Sequence, residues 1–401
     1  MSPASESLVK KLVVFASLVV LGSSIAFLLV ACGANNSSPA SRERAGSTSA
    51  GWRRLPAAPI AVNASPISVW TGREMIVSGV RAGREGTFIG SSEVAAAYDP
   101  ATRTWRPLPP SPDKQNFCRR GAVWTGKEML VWGCGQVAFD PATNHWSRLP
   151  HAFGGQGIVV WTGREMIGWG GGCCGDAWSG GSAYDPAAKS WRTLARSPLV
   201  PSQGPIGAWT GRELVLFVSG IDPGSGKPWP ARFARAAAYD PATDTWRRIA
   251  PPPTPDTRFG GTAVWDGREV LVVGAGARSQ DALAYSPATN RWRRLASMEP
   301  GHAGASAVWT GKRLLVWGGT QYDPKGDVPA PHGVSYDPKT DRWSSLPQWP
   351  LRSRDGSTVV WTGRQLVVWG GVIGTPLGKS TAPEYLTDGA AFTPALERSS
   401  R

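Results

Sequence analysis

The sequence predicts an all-β fold, a seven-bladed β-propeller whose last blade is completed by an N-terminal strand. Three observations carry that prediction. Of 401 residues, 49 are Gly, 35 are Pro and 21 are Trp, a composition of many short strands and tight turns that rules out a helical bundle. A Trp-Thr-Gly-Arg/Lys element starts at Trp70, Trp124, Trp161, Trp209, Trp309 and Trp361, with Trp265-Asp266-Gly267-Arg268 as a seventh, at intervals of 37 to 56 residues. The last copy lacks one segment, and the start of the chain carries a match to it.

Residues 1–31 read as a processing signal. Lys10 and Lys11 precede an almost wholly apolar run, Leu12 to Val30, and Leu29-Val30-Ala31-Cys32-Gly33 follows. This resembles the lipobox of bacterial lipoproteins, which implies a lipid on Cys32, export, and an extracytoplasmic chain anchored to the cell membrane. An uncleaved membrane anchor is the alternative, since the run is long enough to span a bilayer. Residues 32–50 are the modified cysteine and a small, polar, aperiodic tether. The propeller is expected over residues 51–396, with 397–401 as a tail.

Within each repeat the sequence outlines four strands, A to D. Strand A ends in the repeated Trp and turns back through Thr-Gly, where Gly accepts the dihedral angles of a tight hairpin. Strand B is the apolar run that follows, as in Leu314-Leu315-Val316-Trp317-Gly318-Gly319. Strand C ends at an aromatic-Asp-Pro element, at Tyr98, Phe139, Tyr184, Tyr239 and Tyr336, degenerate at Tyr285-Ser286-Pro287 and Phe392-Thr393-Pro394. Proline there forbids further ladder pairing. Strand D carries a Trp seven residues beyond the aromatic: Trp105, Trp146, Trp191, Trp246, Trp292 and Trp343. No Trp follows Phe392, whereas Gly51-Trp52-Arg53-Arg54 matches Thr245-Trp246-Arg247-Arg248. Gly51–Arg54 therefore supplies strand D of blade seven, and radial closure leaves no long exposed edge.

With these motifs in place, the chain resembles the Kelch-repeat propellers, including the galactose-oxidase-like, epimerase-like and lyase-like members of that superfamily, over residues 51–396. The resemblance implies a seven-bladed fold and binding through one face. It supplies no residue-level ligand signature.

Strand order divides the surface. The A-to-B and C-to-D turns share one face, the turn face, and the B-to-C and D-to-A connections share the other, the loop face. Eighteen of the 21 Trp fall on the repeat and read as packing. The other three, Trp178, Trp229 and Trp349, fall in loop-face connections and either line a site or anchor their own loops. Counting seven residues back from the strand-A Trp gives Arg258, His302 and Arg354 in blades five to seven. These are expected around the channel mouth, where guanidinium forks suit a carboxylate, phosphate or sulfate. These six are the candidate ligand-binding residues.

The formal charge of +14 becomes +13 without residues 1–31, which carry Lys10, Lys11 and Glu6. Export argues against nucleic acid as partner, and most Arg stand beside the strand-D Trp as solvated faces. Cys118 and Cys134 flank the blade-two hairpin symmetrically and are expected to form a disulfide. Cys173 and Cys174 pair with each other or stay free. Four cysteines without two C-x-x-C hooks make no zinc site, so neither metal nor cofactor is expected.

A copper-radical oxidase would need a tyrosine–cysteine crosslink with further Tyr and His ligands, and five of seven Tyr already belong to strand C. His302 or His332 with Asp176 or Asp281 would make an acid–base pair if the long loops converge. The resulting expectation is a monomeric, membrane-tethered binding or scaffold module that recognises a cell-envelope glycan or envelope protein through its loop face, with no catalysis. The alternative is a sugar-acid epimerase or lyase acting on a carboxylated carbohydrate at the channel mouth.

Overall fold

The computed structural model describes residues 51–62, 66–81, 93–112, 121–133, 135–152, 157–172, 177–219, 230, 233–253, 261–274, 280–321, 328–373 and 384–395. Seven four-stranded antiparallel sheets follow one another in the described residues. Blade four shows the pattern: Ile206–Trp209, Leu214–Phe217, Ala236–Asp240 and Thr245–Arg248 pair in chain order. The seven A strands neighbour one another in a closed cycle, that of blade seven meeting that of blade one. They form the channel wall, and the D strands form the rim.

The strand written β1, Gly51–Arg54, pairs antiparallel with Gly389–Thr393, placing Gly51 opposite Thr393 and Trp52 opposite Phe392. It is strand D of blade seven, beside Leu366–Trp369 and Thr358–Trp361. The closure predicted from the repeat is the one observed.

Each B strand is an apolar run because both its faces are covered, one by each neighbouring blade. In blade four, Leu214, Leu216 and Tyr239 pack toward blade three with Ile167 and Trp169, while Val215, Phe217 and Ala238 pack toward blade five with Val270 and Val272. The core is thus a set of radial seams, with no single centre. Each seam also holds an indole bond, in which the strand-D Trp donates to the carbonyl four residues beyond the previous blade's strand-D Trp. Trp105 reaches Pro56 at 3.1 Å, Trp146 reaches Pro109 at 2.9 Å, and Trp246 reaches Ala195 at 2.9 Å. Trp52 completes the circle on Pro347 at 2.9 Å.

The A-to-B hairpins are alike. In blade one the Thr71 hydroxyl receives the Glu74 amide at 2.8 Å, the Thr71 amide donates to the Glu74 carbonyl at 3.0 Å, and Gly72 sits at φ +93°. On the loop face, blades six and seven carry extra two-stranded ribbons, Thr320–Gln321 with Val328–Pro329 and Val372–Ile373 with Glu384–Tyr385. Residues 1–50, with Cys32 and the processing signal, lie outside the described residues, as do Cys118 and Cys134 of the expected disulfide and Cys173 and Cys174.

Candidate functional site

The loop-face mouth of blades six and seven is shaped by glycine doublets. Gly318 and Gly319 have φ of 75° and 76°, and Gly370 and Gly371 have 72° and 104°, conformations that disfavour any side chain. A Cβ on Gly319 would lie 2.4 Å from the Ala303 carbonyl, so the connection entering blade six passes directly over the doublet. Antiparallel bridges, Ala303 with Thr320 and Asp355 with Val372, hold both connections in place.

This close passage carries His302 and Arg354 inward. His302 is fully buried, with Nδ1 2.7 Å from the Gly318 carbonyl. A carbonyl only accepts, so the Nδ1 proton is fixed there and Nε2 keeps its lone pair. Nε2 is buried without a hydrogen-bond partner. Burial, more than any nearby charge, holds the imidazole below its ordinary value of 6.5.

Arg354 is 2% exposed. Its Nε donates to the Arg352 carbonyl at 2.9 Å and its Nη1 to the Gly370 carbonyl at 3.4 Å. Nη1 also pairs with the Asp388 carboxylate, whose side chain is 49% exposed. The Trp349 ring lies 5.6 Å from the guanidinium carbon. The two residues therefore make the same move one blade apart, each reaching the carbonyl of the first glycine of its own doublet.

Beside them lies a cavity of about 180 Å³, lined by Ser306, Ser357, Pro66, Trp317 and the Gly318–Gly319 backbone. Ser357 Oγ donates to the Gly370 carbonyl at 3.2 Å. A larger cavity of about 620 Å³ is walled by the A strands of blades three to five, where Ile206, Trp209, Val264 and Trp265 present apolar surface and Thr262 adds one hydroxyl. Among the described residues neither cavity is lined by an acid, a base or a cation; the smaller one is set apart by the Gly318–Gly319 backbone, whose Gly318 carbonyl faces His302 Nδ1.

Of the six predicted ligand residues, Trp229 and Arg258 lie outside the described residues. Trp178 is half-buried; its amide donates to the Gly171 carbonyl at 2.9 Å and its carbonyl accepts from Ser202 at 3.0 Å. Of the two readings left open for the loop Trp, lining a site or anchoring a loop, the burial of Trp349 favours the second. Trp349 is 3% exposed, with its ring 4.3 Å from Trp317 and 4.5 Å from Trp52, because the edge of β1 needs an apolar cover. His302 and Arg354, expected around the channel mouth, are buried, each against the carbonyl of the first glycine of its doublet.

The expected acid–base pair does not form among the described residues. Asp281 lies 3.9 Å from Arg294, His332 Nε2 lies 3.1 Å from Ser345 Oγ, and Asp176 is outside the described residues. Sequence reasoning missed Ser306, Ser357 and Asp388. The only signal for them was small or polar residues at strand starts that the repeat leaves free.

No family model matches the chain, and no curated protein matches it. Among solved structures it is similar to a fungal alcohol oxidase of the AA5 family in complex with copper, at 18% identity and a TM-score of 0.64, over 86% of this chain and 75% of the oxidase. That likeness carries the fold and none of the oxidase's chemistry. It does overturn the step from this architecture to a binding or scaffold module without catalysis, because a catalytic oxidase has the same propeller.

Copper does not fit the donors described here. No three His, Cys, Asp or Glu cluster among the described residues. His332 Nε2 is engaged by Ser345, His302 Nε2 is a single free nitrogen with no second donor beside it among those residues, and Tyr98, Tyr184, Tyr239, Tyr285 and Tyr336 are buried in the seams. What the sequence, the sheets and the solved relative establish together is a seven-bladed propeller related to the galactose-oxidase and Kelch-type folds.

Proposed function

We propose that the chain is an epimerase-like or lyase-like enzyme acting on a carboxylated carbohydrate at the loop-face mouth of blades six and seven. One observation carries the reading: a buried imidazole with an unpartnered Nε2, one blade from a buried guanidinium whose carboxylate partner is half-exposed. In this reading Asp388 occupies the position that the substrate carboxylate takes on Arg354. His302 Nε2 removes the proton from the carbon next to that carboxylate, and Arg354 faces the charge that develops on it. For inversion, water delivers a proton to the opposite face while Nε2 releases its own to solvent; for elimination, the oxygen on the next carbon leaves with its bonding electrons, takes the proton from Nε2, and a double bond forms. The step requires the glycine-framed connection over His302 to open, and Gly304, Gly318 and Gly319, all at positive φ, supply the freedom. Ser306 and Ser357 are placed to meet sugar hydroxyls.

The remaining elements of the proposal are a lipid on Cys32, an extracytoplasmic position at a bacterial membrane, and a monomer acting on a cell-envelope glycan. The motif around Cys32 supports them. The test is deuterium incorporation from heavy water into uronic acids and uronate-containing wall glycans, followed by NMR, with the appearance of unsaturated product measured in parallel. Exchange is expected in the unmodified protein, to fall about 10²–10⁴-fold in His302→Gln, and to show a raised KM in Arg354→Lys. Because the imidazole is held below 6.5, the rate should be flat through neutral pH and fall only in acid. Exchange that survives His302→Gln unchanged, or none with any carboxylated sugar, sinks the assignment.

A further inference from the structure

Every A-to-B hairpin ends in an exposed cation: Arg73, Lys127, Arg164, Arg212, Arg268, Lys312 and Arg364, one per blade. All seven stand on the turn face, since each lies between the end of a strand A and the start of a strand B. Most of the acids around them are engaged elsewhere, Glu128 beside Lys127 excepted. Glu74, Glu165, Glu213 and Glu269, next in sequence to four of the tips, pair with Arg106, Arg192, Arg247 and Arg293 of strand D at 2.5 to 2.8 Å. Asp99, Asp140, Asp185 and Asp240 accept amides of their own C-to-D turns at 2.8 to 2.9 Å. Arg73 and Arg164 reach Asp99 and Asp185 at 3.4 and 3.6 Å. The other five cations form no ion pair among the described residues. Blade six replaces the hairpin Glu with Arg313, which pairs with Asp337 at 3.2 Å, so Lys312 has no acid beside it either.

The chain enters the propeller on this same face. Gly51 pairs with Thr393, at the turn end of strand C in blade seven. A segment of 50 residues precedes Gly51 in the sequence.

We propose that the turn face docks on an anionic lipid bilayer, with the seven hairpin tips as its contacts. This holds whatever the mouth catalyses, and it points the loop face away from the membrane. A cation close to an anionic bilayer strengthens binding roughly fivefold, and the attraction fades beyond about 10 Å at 0.1 M salt. Equivalent tips on one face of a ring can approach a plane together, which scattered charges cannot.

The probe is vesicles of phosphatidylglycerol with phosphatidylcholine, against phosphatidylcholine alone, co-sedimented with residues 32–401 carrying Cys32→Ser. The seven sheets close within residues 51–393, so this chain keeps the whole fold without lipid. Binding to the anionic vesicles alone, weakening with salt, is expected. The variant K127Q/R212Q/R268Q/K312Q/R364Q should lose about three to four orders of magnitude of affinity by the same per-cation factor. R54Q/R148Q/R248Q/R294Q, which neutralises strand-D cations nearer the loop face, should lose less than about tenfold. Circular dichroism confirms that both variants are folded. Equal binding to both vesicles, equal losses in both variants, or binding to soluble polyphosphate without binding to vesicles would each overturn the bilayer assignment.

Discussion

The seam between blades three and four and the seam between blades two and three come from the same repeat but lock differently. In the first, Trp246 donates to the Ala195 carbonyl, and the Ala195 amide donates back to Asp244 Oδ1 at 3.0 Å. Asp244 also receives the Tyr239 hydroxyl at 2.5 Å and Arg192 at 3.2 Å. In the second, Trp191 donates to Pro150 at 2.8 Å; proline has no amide to return, and the turn position two before Trp191 is Lys189. The seams into blades five and six follow the first pattern, through Ala250 with Asn290 and Ala296 with Asp341. The seams into blades one and two follow the second, with Pro56 and Pro109. There the turns carry Arg103 and Asn144, and Asn144 accepts from Arg106 instead. Where the connection offers an N–H, the next blade supplies an acceptor; where it offers proline, the turn is released to other side chains. The difference is satisfaction of one backbone donor.

The strongest way to break the seams is at the closure. Trp52→Ala removes the Pro347 bond and the ring contacts with Trp317, Trp349 and Phe392 at 4.8, 4.5 and 5.1 Å. A loss of about 3–5 kcal/mol is expected, measured as the urea midpoint of unfolding. A loss below about 1 kcal/mol would mean that β1 closes the ring by its ladder alone.

Next in size is the contrast between the two lock types. Asp244 and Lys189 both sit at φ +51°, so glycine at either position relieves the backbone equally. Asp244→Gly strands the Tyr239 hydroxyl and the Ala195 amide and should cost about 1–3 kcal/mol. Lys189→Gly should be neutral or slightly stabilising. Equal effects would remove the distinction.

Smaller again is the effect of importing proline. Ala195→Pro, imitating Pro150, should cost about 1 kcal/mol in the parent chain and little once Asp244 is already Gly. The coupling in that double-mutant cycle, about 0.5–1 kcal/mol, measures the amide bond. Additive effects would mean that the proline acts through backbone shape.

The sequence made the scaffold legible because the scaffold repeats. The strand-A Trp, the aromatic-Asp-Pro element and the strand-D Trp recur with fixed meaning, and Gly51–Arg54 could be placed in blade seven by matching alone. The lock was present in the sequence too, as Ala or Pro four residues beyond one Trp and Asp, Asn, Arg or Lys two before the next, but the pairing crosses a blade boundary that a single repeat does not display. The mouth was half legible. Counting back from Trp309 and Trp361 found His302 and Arg354, yet their inward direction depends on positive φ at Gly318 and Gly370, which the count ignores. Trp349 was left open for a related reason: its burial is set by Trp52, almost 300 residues away and brought beside it only by closure.

The smallest expected effect lies in alkaline solution and tests the lock by its chemistry. Burial, with the bond to Asp341 adding to it and Arg293 opposing, pushes the Tyr336 hydroxyl up to about 12 from an ordinary 10.0. The folded value lies above the unfolded one, so this group's contribution is intact below pH 10 and is lost as the pH climbs toward 12. Tyr336→Phe abolishes both the bond and the titration. Urea midpoints of parent and variant should therefore differ at pH 9 and converge as the solution becomes more alkaline. Phe139 stands at the same place in blade two and has no hydroxyl, so Phe139→Tyr should create no such pH dependence unless Asn144 gives up Arg106. Parallel curves for parent and Tyr336→Phe would show that the hydroxyl bond to Asp341 adds nothing to the seam.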